Sequence, residues 1–187
     1  MTVKTFESAT DTATLIDQNS ASSLFTATPG AMTQSTAGPE NAADKTTYQV
    51  VTYVFSMKPQ NNVPVGGYVM IKLPSDDSLM AVINGSINVC ASVAGFVTAI
   101  NCEVDSTSQF RIINGFTSGG FTTDGTQDLS FRMNGVRNPR SFKQTTSFTF
   151  TTYDSANFKI DEKNTGITTT MTTASFLHNA EFATSSE

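Results

Sequence analysis

The sequence predicts an all-β protein, an antiparallel β-sandwich, on three observations. Strand-like runs arrive about every ten residues, each bounded by Gly, Pro, Asn or Asp. No apolar period of 3.6 appears anywhere along the chain. Thr and Phe are abundant, Trp is absent and only 14% of residues are charged, a balance that favours strands over helices. A length of 187 residues accommodates one such domain with an arm.

From Met1 to Asp44 the chain is polar and rich in Thr, Ser and Ala, with turn residues at Pro29-Gly30 and Gly38-Pro39. It reads as an extended arm, residues 1–44. The sandwich is expected over residues 45–173. Tyr48 to Met57 is β-branched and aromatic on both alternations and reads as an interior strand of a sheet. Pro59 to Pro64 breaks it, and Tyr68 to Leu73 follows Gly66-Gly67 and stops at Pro74. Ile87 to Val93 and Phe96 to Val104 flank Gly95. Gln109 to Ile113 ends at Asn114-Gly115, a strong turn dipeptide. Leu129 to Met133 alternates cleanly and is expected to end at Asn134-Gly135. Phe148 and Phe150 alternate with Ser147, Thr149 and Thr151, so both rings should face the core. Phe158 to Ile160 and Ile167 to Met171 complete the set. Residues 174–187 read as a second arm or the start of another repeat. The pattern suggests an immunoglobulin-like sandwich with extended N- and C-terminal arms, although the cysteine spacing and the missing Trp differ from antibody domains.

The cysteines, Cys90 and Cys102, lie on the two runs either side of Gly95. A tetrahedral metal site would need two more soft ligands, and the single histidine is His178. A disulfide between adjacent hairpin strands is expected, and with it an oxidising compartment.

A net charge of −5 and a pI near 4.8 argue against nucleic acid as a partner. Arg132, Arg137, Arg140 and Lys143 read as a solvated strand end. No run approaches the ~20 apolar residues of a membrane-spanning helix. Nothing points to an enzyme: a triad would have to use His178, far out in the C-terminal arm. The pairs Asp76-Asp77 and Asp161-Glu162 follow turn-like sequence, where neighbours point to opposite faces of a strand. Several Asp residues near turns raise the question of calcium between modules, but no dense ligand run exists, and no metal or cofactor is expected. Asn84-Gly85-Ser86 is an N-glycosylation sequon between two apolar strands, and the Thr-rich arms suit O-glycans.

The end of the chain is similar to its beginning. Met171-Thr172-Thr173-Ala174-Ser175-Phe176 aligns with Met1-Thr2-Val3-Lys4-Thr5-Phe6 at an offset of 170 residues (171 minus 1). Without a gap, Glu181 then falls on Asp11 and Glu187 on Asp17. A domain-sized offset is the signature of a tandem repeat. A further set of motifs lies in order: Phe55-Ser56-Met57-Lys58-Pro59, Gly66-Gly67-Tyr68, Leu73-Pro74-Ser75, the cysteine pair, Asn138-Pro139, and Ser147-Phe148 through Tyr153-Asp154-Ser155. This series, over about residues 46–172, resembles the tandem β-sandwich repeat of very large surface proteins of ciliated protists. The resemblance implies a secreted or surface-exposed structural repeat and brings no catalytic residue with it.

The sequence therefore points to a structural repeat of an extracellular surface filament, coat or adhesive fibre, partnered by copies of itself, with glycans as a further candidate. Inter-repeat contacts are expected from the arm residues Phe6, Leu15, Ile16, Leu24, Phe25, Phe176, Leu177 and Phe182, too few for a core and too many to leave in water. The alternative is an extracellular carbohydrate- or protein-binding sandwich. A fibre places exposed apolar groups at the two ends of the module, whereas a sugar binder needs an aromatic platform in one loop cluster. Phe116 and Phe121 are the platform candidates.

Overall fold

The structure, a computed structural model, describes residues 28–75, 90–123 and 126–175, together with the backbone of 3–8, 11–19 and 80–81. Its strands are β1 (Val3–Ser8), β2 (Asp11–Asn19), β3 (Gly30–Ala31), β4 (Ser35–Pro39), β5 (Val50–Met57), β6 (Tyr68–Lys72) and β7 (Met80–Ala81). They continue with β8 (Cys90–Ala94), β9 (Asn101–Ser106), β10 (Gln109–Ile113), β11 (Leu129–Arg137), β12 (Thr149–Tyr153) and β13 (Lys159–Lys163). One sheet runs β3-β13-β12-β6-β10-β9. The facing sheet runs β4-β5-β11, with β7 and β8 both paired to the far side of β11. Only the short β3–β13 pairing is parallel among the described ladders of these sheets. β1 and β2 pair with each other in a separate two-stranded sheet.

The core follows from period-two alternation. Val51, Tyr53, Phe55 and Met57 of β5 point inward, as do Val69 and Ile71 of β6, Phe110 and Ile112 of β10, and Phe131 and Met133 of β11. Phe148 and Phe150 are both fully buried, as the alternation predicts. Phe55 sits at the centre, its ring 5.1 Å from Phe131, 5.4 Å from Phe110 and 6.2 Å from Phe148 and Phe150. Phe131 stacks on it from the neighbouring strand, whereas Phe110, Phe148 and Phe150 meet it edge-on across the core, and such aromatic contacts bury large areas.

β5 is an interior strand, flanked by β4 and β11, as expected; on its outer face Val50 is exposed and Thr52, Val54 and Ser56 are half-buried, because each sheet of a two-layer sandwich keeps one outer face. Other expectations change. Asn134-Gly135 does not end its strand. Gly135 adopts φ +83°, the ladder to β5 skips from Met133 to Val136, and β11 continues to Arg137 through a bulge that glycine makes possible. Phe158 precedes β13 and belongs to the turn before it. Ile167 to Met171 forms no ladder strand but runs extended, with Ile167 O and Thr169 O accepting from Phe148 N and Thr145 N. Finally, the sandwich starts near residue 30: β3 pairs with β13, β4 pairs with β5, and Met32 between them is buried. Small residues with polar backbones were free to serve as edge strands, which demand little side-chain burial.

Cys90 and Cys102 are joined, with Cα atoms 5.7 Å apart. They do not form a hairpin bridge, however. β8 pairs with β11 in one sheet and β9 with β10 in the other, so the disulfide ties the two sheets along one flank. Gly95, at φ +83° against the backbone of Asp128 and Leu129, turns the chain out of the first sheet. Phe96, stacked on Phe116 at 5.3 Å, and the buried Ile100 hold the crossing segment to the core.

Candidate functional site

The described chain enters the sandwich at one end and leaves at the other. Residues 30 and 31 lie beside the loop that follows β5, where Gln60 Oε1 accepts from Ala31 N at 3.1 Å. Residues 172 and 173 lie beside the segment that precedes β5: their amides donate to Lys45 O, and Thr173 O accepts from Thr47 N at 2.8 Å. The eight residues of β5 separate these points by about 26 Å at the usual strand rise. We call the ends the upstream and downstream poles.

The downstream pole is built around Asn138, which has no exposed surface. Its Nδ2 donates to Asp44 O at 2.6 Å and Thr46 O at 2.7 Å, its Oδ1 accepts from the Tyr53 hydroxyl at 2.8 Å, and its own N–H reaches Gln49 O. One amide thereby joins β5, the end of β11 and the loop that carries the C-terminal segment. Tyr48, held at φ +61° by a bond from its N–H to Pro139 O, projects from this anchor. Two guanidiniums flank its ring, Arg137 at 4.8 Å and Arg140 at 4.6 Å, an arrangement favoured by the ring quadrupole. The hydrogen bond from Arg140, then the charges of Arg137 and Arg140, lower the Tyr48 pKa from 10.0. Val50, two residues after Tyr48, and Phe142, two residues after Arg140, are both exposed.

The upstream pole is built around Asp161, equally buried. Its carboxylate accepts from Asn61 N at 3.0 Å and Asn61 Nδ2 at 2.7 Å, and its N–H donates to Thr152 Oγ1 at 3.0 Å. Gly30 leaves the room this contact needs, since a Cβ there would overlap both Asp161 and Asn61. The next turn is made by Asp154, whose Oδ1 accepts from Ala156 N and Phe158 N. Phe158 projects from it with 70% of its surface exposed, and Val65, in the neighbouring turn, is exposed as well. Tyr68 and Tyr153 stack at 4.9 Å on the adjoining sheet face.

Other expected features fall as follows. Asp161 and Glu162 face opposite ways, the second pairing with Lys159 at 2.8 Å. Arg132 pairs with Glu40 at 3.1 Å. Phe116 and Phe121 are buried, so neither forms an exposed platform. A shallow depression of about 320 Å³ on the outer face of the six-stranded sheet is lined by Met70, Lys72, Gln109, Thr151, Tyr153 and Glu162, among others. Among the described residues no three His, Cys, Asp or Glu side chains converge, and no helix is long and apolar enough to cross a membrane. Phe6, Leu15 and Ile16 fall on β1 and β2, whose side chains lie outside the described residues. Asn84, Leu24, Phe25, Phe176, Leu177, Phe182, His178, Asp76 and Asp77 also lie outside the described residues. Sequence reasoning missed the exposed set of Tyr48, Phe142, Val65 and Phe158. Phe158 carried a signal, an Asp-Ser-Ala-Asn turn directly before it; Tyr48 carried none.

No family model matches the chain, and no curated protein matches it. Among solved structures, the chain is similar to one described as the crystal structure of BslA, a bacterial hydrophobin, at 11% identity. The match covers 80% of this chain and 100% of that one with a TM-score of 0.45, and it carries no functional argument here.

Proposed function

We propose that this chain is a module of an extracellular structural fibre, coat or adhesive stalk, joined end to end with copies of itself. The observation that carries this reading is the distribution of exposed apolar side chains. Tyr48, Val50 and Phe142 stand at the pole where the described chain leaves, and Val65 and Phe158 at the pole where it enters; Val93, on β8, and Val97, bonded to Gly115, are the other exposed large apolar residues among those described. Ends that are apolar, rigidly anchored and on opposite sides of a sandwich suit serial stacking. The disulfide supports an oxidising compartment. The 170-residue offset and the ordered motifs that resemble repeats of ciliated-protist surface proteins support the same reading. The carbohydrate-binding alternative loses its platform with the burial of Phe116 and Phe121.

The test is concentration-dependent association of the chain, followed by sedimentation and small-angle scattering. Wild type should form assemblies that lengthen at constant cross-section. Val50→Asp with Phe142→Asp, or Val65→Asp with Phe158→Asp, should each return the chain to monomer without lowering its melting temperature. A wild-type chain that stays monomeric, and a two-copy fusion whose modules tumble independently, would sink the fibre reading.

A further inference from the structure

We propose that the downstream pole is the seat of the β1–β2 hairpin of the following copy. This rests on the fibre reading above and names the contact that reading needs. β1 and β2 form a sheet of their own, and a two-stranded hairpin is marginal in water without something to cover it. The register sets Phe6 opposite Leu15, an apolar cross-strand pair that gains from cover.

Chain geometry says where the cover lies. Thr173 is hydrogen-bonded to Lys45 and Thr47 at the downstream pole. By the 170-residue offset, Thr173 is the counterpart of Val3, the first residue of β1. The hairpin of a following copy therefore begins at this pole with no linker between them.

The chemistry of the two surfaces is complementary. The pole offers Tyr48, Val50 and Phe142, which are 41%, 46% and 53% exposed. Around them lie Lys45, Arg137, Arg140 and Lys143 against one carboxylate, Asp44: four minus one, a charge of +3. The hairpin span 3–19 holds Glu7, Asp11 and Asp17 against Lys4: one minus three, a charge of −2. Opposite fields steer such surfaces together and fix their orientation. Arg137 and Arg140, 4.8 and 4.6 Å from the Tyr48 ring centre, restrain that side chain before docking and lower the entropy it has to lose. The upstream pole suits the hairpin less, because its span 154–163 holds Lys159 and Lys163 against Asp154, Asp161 and Glu162: two minus three, a charge of −1 that shares the hairpin's sign.

Zero-length carbodiimide cross-linking of the full 187-residue chain, as a mixture of light and heavy-nitrogen copies mapped by mass spectrometry, tests this. Lys45 or Lys143 of one copy should join Glu7, Asp11 or Asp17 of another, or Glu181, the counterpart of Asp11, within one copy. Arg140→Glu with Lys143→Glu should cut the remaining Lys45 links roughly tenfold. Lys159→Glu, at the upstream pole, should leave them unchanged, and all variants should keep the wild-type melting temperature. If copies associate but these acids link to Lys72, Lys159 or Lys163, the hairpin seat is wrong and the fibre reading stands. If no link forms between copies and Glu181 links elsewhere, both fail.

Discussion

At the downstream pole a neutral amide, Asn138, joins three chain segments; at the upstream pole a carboxylate, Asp161, gathers a loop onto a strand edge. The difference follows from the groups left unpaired at each end. Downstream, two backbone carbonyls and a tyrosine hydroxyl meet, and only a side chain that both donates and accepts serves them together. Upstream, N–H groups of Asn61 meet, and an acceptor-only carboxylate suffices. In both places a buried polar residue pins a loop at the end of the sandwich: the Tyr48 loop downstream, and upstream the Asn61 loop that leads to the exposed Val65. Rigid display of apolar groups is what an end-to-end contact requires, and loops without such an anchor would fold those groups away.

The largest break is expected at the amide. Asn138→Leu leaves the Tyr53 hydroxyl and two carbonyls without their partner and should cost about 3–4 kcal/mol in chemical denaturation. A loss under ~1 kcal/mol would mean that water replaces the amide and that the pole is not rigid. Next comes the covalent tie on the flank between the poles. Cys90→Ala with Cys102→Ala opens a short loop, with a sequence separation of 12, and should cost about 3 kcal/mol in the chain-entropy model. Exchange protection should fall across β8 and β9 while both poles keep theirs. Third, Asp161→Ala should cost about 2 kcal/mol, with protection lost at Asn61 and Ala31 rather than throughout the sandwich. Global loss instead would show that the two anchors are one cooperative unit.

The smallest effect separates the poles by pH. Tyr53 at the downstream anchor has its pKa raised, chiefly by burial. A group raised in the folded state contributes its stability below the unfolded value of 10.0 and loses it as pH rises beyond that. Tyr48 nearby is lowered, first by the Arg140 hydrogen bond. An ultraviolet titration should therefore show Tyr48 ionising first, a step abolished in Tyr48→Phe and delayed in Arg140→Ala. Tyr53 should ionise only as the protein unfolds in alkali. If Arg140→Ala leaves the first step in place, the clamp does not hold the ring.

Strand identity was legible wherever inward residues are large and alternate with small polar ones, as at Leu129-Ser130-Phe131 and Phe148-Thr149-Phe150. Edge strands were not. Ser35 to Pro39 and Gly30-Ala31 bury little side chain, so their place depends on β5 and β13 offering an edge. The cysteine pairing was legible but not its role. Spacing shows that two residues are within reach, whereas the choice between one sheet and two depends on how Gly95 directs the chain.

By itself the sequence determined an all-β sandwich, a phenylalanine-rich interior and a disulfide, because side-chain period and residue size act locally along a strand. Only the tertiary structure decided which polar residues became anchors. Asn138 and Asp161 sit in turn-like sequence and would be solvated in an isolated peptide. They are buried because segments remote in sequence, around Asp44, Tyr53 and Asn61, close over them and bring unpaired backbone groups that need those side chains. The exposure of Tyr48 and Phe158 is decided the same way. Each is apolar enough for a core; Tyr48 stands outside because its loop is fastened from the inside by Asn138, and Phe158 because the Asp154 turn holds it at the end of a hairpin.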